Sequence, residues 1–218
     1  MKHVRLLIFD WDGTLMDSAN HIVSSIHSAS LDMGLVPRED HEMRNIIGLG
    51  MKESVYALYP DEYTDEFVLK FASLYRGYFF AKDASQDLFP GAIDTLEELI
   101  DMGYMLAVAT GKSRNGLNIA LKETGMKRLF TESRCADETR SKPHPQMIRE
   151  ILVSLDVNPK QAIMIGDTEY DLEMARNAGV HPVGVSYGVH EISRLQKYNP
   201  MHILGAIVEL PNWLKEAG

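Results

Sequence analysis

Short apolar runs recur along the chain and alternate with longer segments in which apolar residues follow helical spacing. Four of these runs are too short for helices and lack the polar alternation of a strand with one face in water. They are therefore typical of strands buried in a parallel sheet. The predicted strands cover residues 4–9, 105–109, 162–165 and 182–185. A fifth is predicted at residues 201–204.

The segments between these strands show helical spacing and clear stop signals. Helices are predicted at residues 92–102, 114–124 and 172–178, and a glycine follows each of them, which favours a helix end. Because strands alternate with helices, the sequence predicts an α/β fold built on a doubly wound, Rossmann-like parallel sheet. The last residues, 205–218, fit a closing helix with Trp213 packed inward.

One stretch, residues 16–87, breaks this rhythm, because it contains helical patterns and no convincing strand. Its first predicted helix covers residues 17–33, with Asp17 as the N-cap and a stop at Gly34. Further helices are predicted at residues 39–47, 52–59 and 62–82. The sequence therefore predicts an α/β core domain made of residues 1–15 and 88–218, with a small helical cap domain, 16–87, inserted into it.

Composition fits an ordinary globular chain, since 45% of the 218 residues are hydrophobic and 24% are charged. The formal net charge of -9 disfavours binding along a nucleic-acid backbone. The first apolar run is too short for a signal or membrane segment, so we expect a cytoplasmic protein with no membrane partner. The single cysteine, Cys135, cannot form an internal disulfide and is expected to be a buried thiol.

Two carboxylates stand at the end of the first predicted strand. Asp10 and Asp12 are two residues apart, so in extended backbone their side chains point the same way. Open α/β sheets bind ligands at the carboxyl ends of their strands, and Gly13 permits a sharp exit of the chain there. Asp and Gly are also common turn residues, so this run alone fits a plain loop equally well.

Further polar residues follow the later strands. Asp167 and Asp171 come after the strand at 162–165, where Asp171 also fits a favourable charge near a helix start. Thr110 and Gly111 follow the strand at 105–109 and fit either an anion cradle or an ordinary helix cap. Lys142 lies in a segment restrained by prolines, which can hold its ammonium group in place.

Four motifs, taken in this order, resemble those of the haloacid dehalogenase-like (HAD-like) hydrolase superfamily. They are Asp10-x-Asp12-Gly13-Thr14, Thr110-Gly111, Lys142-Pro143 and Gly166-Asp167-x-x-x-Asp171. Within the superfamily the chain looks like the phosphoglycolate phosphatase-like branch. The supporting segments are Ile47-Gly48-Leu49-Gly50, Phe89-Pro90-Gly91 and Ser141-Lys142-Pro143-His144-Pro145, whereas Trp11 and Thr110-Gly111-Lys112 depart from the commonest forms of their motifs.

The resemblance implies a phosphatase that acts on a small phosphorylated metabolite. Asp10 would be the nucleophile and would carry an aspartyl-phosphate, while Asp12 would serve as general acid and then as general base. Thr110, Gly111 and Lys142 would bind the oxygens of the transferred phosphoryl group. Phosphoglycolate is the favoured substrate on this resemblance.

The resemblance also implies a metal cofactor, Mg²⁺, because a carboxylate that approaches a phosphate concentrates negative charge. Asp10 and Asp167 would bind the ion through their carboxylates and Asp12 through its backbone carbonyl. Asp171 would hydrogen-bond beside the site and support these ligands.

Other functions remain open on the sequence alone. A sugar-phosphate mutase or a pyrophosphatase could use the same active site. A dehalogenase would not need Asp12. A non-enzymatic interaction protein of the same fold is the alternative from a different class, and the presence of Asp10, Asp12, Lys142 and Asp167 argues against it. Oligomeric state cannot be inferred.

Overall fold

A six-stranded parallel sheet forms the centre of the computed structural model, which describes residues 4–81 and 88–216. Its strands are β1 Leu6–Phe9, β2 Met105–Thr110, β3 Glu132–Cys135, β4 Ala162–Gly166, β5 His181–Val185 and β6 Ile203–Leu204. Their order across the sheet is β3-β2-β1-β4-β5-β6. The predicted α/β class with a doubly wound parallel sheet is thus confirmed.

The first strand is central, because it pairs with β2 on one side and with β4 on the other. Leu6 lies opposite Met105 in β2 and opposite Ala162 in β4. All four residues of β1 are buried, and successive side chains point to opposite faces of the sheet. Both faces must therefore be covered by other elements.

Helices cover the two faces. One face packs against α5 Ala92–Asp101, α6 Arg114–Glu123 and α10 Leu210–Glu216. The other packs against α7 Gln146–Ser154 and α8 Glu169–Ala178. The short helix α9, Ile192–Gln196, follows β5. The buried residues of α5, Ala92, Leu96 and Leu99, show why it docks, since this spacing places apolar side chains on one side of a helix.

Among the described residues between β1 and α5, four α-helices form what we call the helical segment, residues 19–79. They are α1 Ala19–Asp32, α2 Asp40–Asn45, α3 Met51–Leu58 and α4 Asp65–Phe79. Their apolar faces form a hydrophobic cluster of their own, in which Ile22, Val55 and Phe71 are buried. The predicted boundary at residue 87 and the predicted helix end at residue 82 lie outside the described residues.

Several local predictions need correction. The sequence does not predict strand β3, because Glu132-Ser133-Arg134-Cys135 is mostly polar. Strand β3 lies at the edge of the sheet, where polar side chains are tolerated. Helix α7 was not assigned. Asp17 is exposed and does not cap α1, because the helix begins at Ala19 and Ser18 takes the N-cap position.

The local predictions for Trp213 and Cys135 are confirmed. Trp213 packs against the core from α10 and stacks on the ring of His202, with 5.4 Å between the ring centroids. Cys135 is fully buried, and this burial raises the pKa of its thiol to about 12. Among the described residues, no helix has the length and apolar character needed to cross a bilayer.

Candidate active site

The carboxyl ends of three neighbouring strands bring the predicted site residues together. Asp10 follows β1, Thr110 ends β2, and Asp167 follows β4. Because β1 lies between β2 and β4, these side chains meet at one edge of the sheet, and all three are buried. The sheet topology thus explains how residues far apart in sequence form a single site.

Three carboxylates form a cluster at this edge. Asp10, Asp167 and Asp171 each offer one oxygen, and these oxygens lie within 4.8 Å of one another. Burial raises the pKa of Asp10 well above its ordinary value, although the nearby Lys142 opposes this shift. Burial, helped by the charge of Asp171, raises the pKa of Asp167 to about 7. A cluster of buried carboxylates needs a cation nearby in order to stay ionised.

Lys142 provides one such cation. Its buried ammonium lies 2.7 Å from Asp10 Oδ1 and 2.6 Å from Asp171 Oδ1. Burial alone would lower the pKa of Lys142, but the charges of Asp10 and Asp171 raise it above the ordinary lysine value. Lys142 therefore stays charged and holds the nucleophile candidate Asp10 in a fixed position.

Asp171 has a second contact that fixes its orientation. Its Oδ2 accepts hydrogen bonds from the backbone N–H of Thr168 at 3.1 Å and from the Thr168 hydroxyl at 2.6 Å. Thr168 is the N-cap of α8 and Asp171 its third residue, so the pair forms a capping box. Asp171 thus stabilises the helix start and also pairs with Lys142.

Asp167 sits in a tightly built pocket. Its Oδ1 accepts a hydrogen bond from the Thr14 hydroxyl at 3.0 Å, and its Oδ2 accepts one from the Val189 backbone N–H at 2.9 Å. A Cβ at Gly13 would lie 2.2 Å from Asp167 Oδ2, and one at Gly188 would lie 2.1 Å from Asp167 Cβ. Both glycines are therefore needed for this carboxylate to fit. The contributions of Gly188 and Val189 left no signal in the sequence.

The carboxylate of Asp12 does not join the cluster. Its Oδ1 accepts a hydrogen bond from the Ser18 hydroxyl at 2.6 Å and pairs with the Lys112 ammonium at 3.0 Å. The family resemblance assigns the metal contact of Asp12 to its backbone carbonyl, and these carboxylate contacts do not compete with that assignment. Sequence reasoning missed Ser18, whose hydroxyl turns to Asp12 and makes no capping hydrogen bond to α1.

The phosphate-binding candidates lie where the helical segment meets the sheet. Thr110 Oγ1 accepts a hydrogen bond from the backbone N–H of Lys112 at 3.2 Å. A Cβ at Gly111 would lie 2.6 Å from the carbonyl oxygens of both Gly48 and Leu49. Only glycine at position 111 lets the loop before α3 come so close to the end of β2. Gly111 therefore has a packing role that does not depend on what its amide binds.

The helical segment covers the site, and the segment and the end of the sheet together line a partly open cavity of about 1010 Å³. Asp10, Asp12 and Lys142 lie on the core side of this cavity. Hydrogen bonds hold the two sides together: the Gly50 backbone N–H donates to Ser141 Oγ at 2.8 Å, and the Tyr170 hydroxyl donates to the Asn45 carbonyl at 2.9 Å.

A hard divalent cation suits these donors. Asp10 Oδ2 is buried and has no hydrogen-bond partner in the part of the chain that the structure describes. An unsatisfied carboxylate oxygen in a cluster of three buried carboxylates is the kind of ligand that Mg²⁺ prefers.

Comparison with known proteins gives consistent results at the level of sequence. Three curated relatives are phosphatases. The probable phosphatase IndB of Dickeya dadantii is 32% identical over 209 residues, 94% of this chain and 91% of that protein. Pyrophosphatase PpaX of Bacillus velezensis is 31% identical, over 96% of this chain and 95% of its own. The phosphoglycolate phosphatase of Agrobacterium fabrum is 30% identical, over 88% of this chain and 84% of its own.

Solved structures agree. A haloacid dehalogenase-like family hydrolase from Streptococcus pneumoniae has a TM-score of 0.83 at 26% identity, over 98% of this chain and 100% of that one. A predicted phosphatase from Clostridium acetobutylicum has a TM-score of 0.86 at 27% sequence identity, over 98% of this chain and 99% of that one. The family model described as "Haloacid dehalogenase-like hydrolase" matches residues 7–185. The chain therefore belongs to the haloacid dehalogenase-like hydrolases, the family of enzymes that its four motifs indicated.

Proposed function

We propose that this hydrolase is a Mg²⁺-dependent phosphatase that cleaves a small phosphate ester through a covalent phosphate on Asp10. The observation that carries the proposal is the environment of Asp10, whose Oδ1 is held by Lys142 at 2.7 Å while its buried Oδ2 has no hydrogen-bond partner among the described residues. One oxygen of this carboxylate thus forms an ion pair, and the other is open to a ligand. The phosphatase relatives support the same chemistry.

In the first step, an Asp10 oxygen attacks phosphorus, so that an O–P bond forms and the bond from phosphorus to the leaving oxygen breaks. Asp12 donates a proton to that oxygen, and in the second step it takes a proton from the water that attacks phosphorus. Ser18 and Lys112 hold the Asp12 carboxylate in one position, which favours proton transfer to and from the reacting oxygens. As the water oxygen bonds to phosphorus, the bond between phosphorus and the Asp10 oxygen breaks, which releases phosphate and regenerates the Asp10 carboxylate.

The ion would be held by the carboxylates of Asp10 and Asp167 and the backbone carbonyl of Asp12, with Asp171 orienting Lys142 beside them. When bound, Mg²⁺ supplies positive charge that offsets the repulsion between carboxylate and phosphate. Thr110, the Gly111 amide and Lys142 bind the phosphoryl oxygens. Lys142, already placed between two carboxylates, has the best defined geometry of the three.

We further propose that the helical segment is a cap domain, with residues 16–87 as its extent and residues 1–15 and 88–218 as the core. The hydrophobic cluster within the segment and the cavity beneath it support this division. The cap excludes water from the site and meets the leaving group. A cytoplasmic protein that acts on a small phosphorylated metabolite is consistent with the composition.

The substrate we favour from the sequence is phosphoglycolate. Pyrophosphate, the substrate of the alternative that the sequence left open, is also supported by the name of one relative. Phosphate release from both, and from sugar phosphates and nucleotides, tests the proposal with Mg²⁺ or with EDTA. We expect Mg²⁺-dependent release that falls at least ~10³-fold in Asp10→Asn, because the nucleophile is lost. Activity that survives EDTA or Asp10→Asn would contradict the mechanism. Isomerisation of a sugar phosphate without release of phosphate would indicate a mutase.

A further inference from the structure

Lys112 carries a charged group into the cavity. The mechanism proposed above does not explain how the enzyme selects its substrate, and this lysine is placed to do so. Its ammonium lies 3.0 Å from Asp12 Oδ1, and its side chain is 9% exposed. It also lies 4.5 Å from the ring centroid of Phe79, which belongs to α4 in the helical segment. Lys112 thus bridges the core carboxylate and the wall of the cavity.

Two lysines of the cavity pair with carboxylates of the site, and they differ in the number of carboxylates they contact. Lys142 is held by two carboxylates, Asp10 and Asp171. Among residues 4–81 and 88–216, Lys112 pairs with one carboxylate, that of Asp12, and contacts one aromatic ring, that of Phe79. An ammonium group has three donors, so Lys112 keeps hydrogen-bonding capacity for a ligand in the cavity.

Other cations on the cavity wall are less suited to this role. Lys52 lines the same cavity, but its side chain is 67% exposed and pairs with Asp65 at 3.4 Å. Arg76 and Arg140 are exposed as well. A cation in water interacts weakly with an anion, whereas a buried one next to apolar walls interacts strongly.

The position of Lys112 fits the leaving group. Under the proposed function, on which this inference rests, Asp12 must meet the leaving oxygen, and Lys112 contacts that same carboxylate. An anionic group near the scissile bond would therefore come within reach of the ammonium. Without a cation there, Asp10, Asp12 and Asp167 would repel such a group.

We propose that Lys112 is a specificity-determining residue that binds the leaving group, and that it selects phosphate esters or anhydrides with a second anion close to the scissile bond. A carboxylate or a second phosphate both meet this requirement. Phe79 covers the ammonium from the helical segment, so this recognition requires the segment to lie against the core, as it does here.

The test compares a charged and a neutral ester of similar size, phosphoglycolate and 2-hydroxyethyl phosphate. The quantity measured is the ratio of their kcat/KM values in the wild type, Lys112→Met, Lys112→Arg and the control Lys52→Met. We expect wild type to favour phosphoglycolate, and Lys112→Met to lower the ratio by about 10-fold or more, because a desolvated ion pair is lost. Lys112→Arg should retain part of the preference, and Lys52→Met should leave the ratio unchanged.

An unchanged ratio in Lys112→Met would overturn the inference while leaving the phosphatase proposal intact. Failure of every variant and of the wild type to release phosphate would instead contradict the proposed function. If Lys112→Met is folded but inactive on both esters, calorimetric binding of glycolate decides the question. Glycolate should bind about 10-fold more weakly to Lys112→Met than to the wild type, and equal binding would overturn the inference.

Discussion

At the scale of single residues, the site depends on glycines that leave room for its carboxylates as well as on the carboxylates themselves. Gly188 illustrates this, because a Cβ there would lie 2.1 Å from Asp167 Cβ and 2.5 Å from Asp167 Oδ2. The substitution Gly188→Ala should therefore displace Asp167. We expect a loss of about 1–3 kcal/mol in the free energy of unfolding, as for other overpacked sites, together with weaker Mg²⁺ binding.

Gly77 provides the matched control for Gly188→Ala. It lies within α4, and a Cβ there would meet nothing within 4 Å. Gly77→Ala should raise the free energy of unfolding by roughly 0.5–1 kcal/mol, because alanine favours the helix. Urea unfolding and a Mg²⁺ titration measure both effects. Equal stability of the two variants would show that the packing around Asp167 is less tight than described.

The residues to which we assign the chemistry were the most predictable part of the molecule. Asp10, Thr110 and Asp167 lie together as the motifs suggested, because the carboxyl ends of neighbouring parallel strands lie at the same end of the sheet. Lys142 reaches them from the loop between β3 and α7. Their supporting contacts were not predictable. The N–H of Val189, for example, comes from a loop whose distance from Asp167 depends on the complete fold.

At the scale of elements, burial explains which predictions succeeded. The strands at the centre of the sheet are apolar and were assigned, whereas the edge strand β3 is polar and was not. The start of α1 was misplaced for a different reason. Ser18 and Asp17 are both good capping residues, and the sequence cannot show that the Ser18 hydroxyl contacts Asp12.

The junction between the helical segment and the core gives a prediction at this scale. Ser141 Oγ accepts the buried N–H of Gly50 at 2.8 Å, and Ser141→Ala would leave that donor unpaired. We expect a loss of about 1–3 kcal/mol in the free energy of unfolding and a higher KM, because the loop before α3 is held less firmly.

The control for Ser141→Ala is Ser24→Ala in α1. The exposed Ser24 hydroxyl donates only to a carbonyl of the same turn, that of His21. Its loss should change the free energy of unfolding by less than ~0.5 kcal/mol. Thermal melts and substrate titrations of the two variants provide the comparison, and an unchanged KM in Ser141→Ala would separate this hydrogen bond from the proposed cap function.

At the scale of the whole molecule, the buried carboxylates link stability, pH and metal binding. The pKa of Asp167 is raised to about 7 in the folded chain, against 3.8 as the ordinary value. Between these values the folded state binds more protons than the unfolded state, so in EDTA this group lowers stability as pH rises from about 4 to 7. The destabilisation is absent below that window and complete above it.

Under the proposed assignment of Asp10 and Asp167 as ligands, Mg²⁺ should reverse this trend, because the ion binds ionised carboxylates. We expect the rise in Tm on adding Mg²⁺ to be large at pH 8 and small at pH 6, where protons compete for Asp167. Melting curves with Mg²⁺ or EDTA at both pH values measure the difference. Asp167→Asn should abolish the rise at either pH. A rise of equal size at pH 6 and pH 8 would contradict the assignment of Asp167 as a ligand.

The central claim, a covalent phosphate on Asp10, is tested most directly by trapping it. In Asp12→Asn the base for the second step is lost, so a ³²P-labelled ester with a good leaving group should label the protein before it turns over. After an acid quench we predict label that hydroxylamine removes, as expected of an acyl phosphate, and none when Asp10→Asn is added. Label that persists without Asp10 would contradict the account.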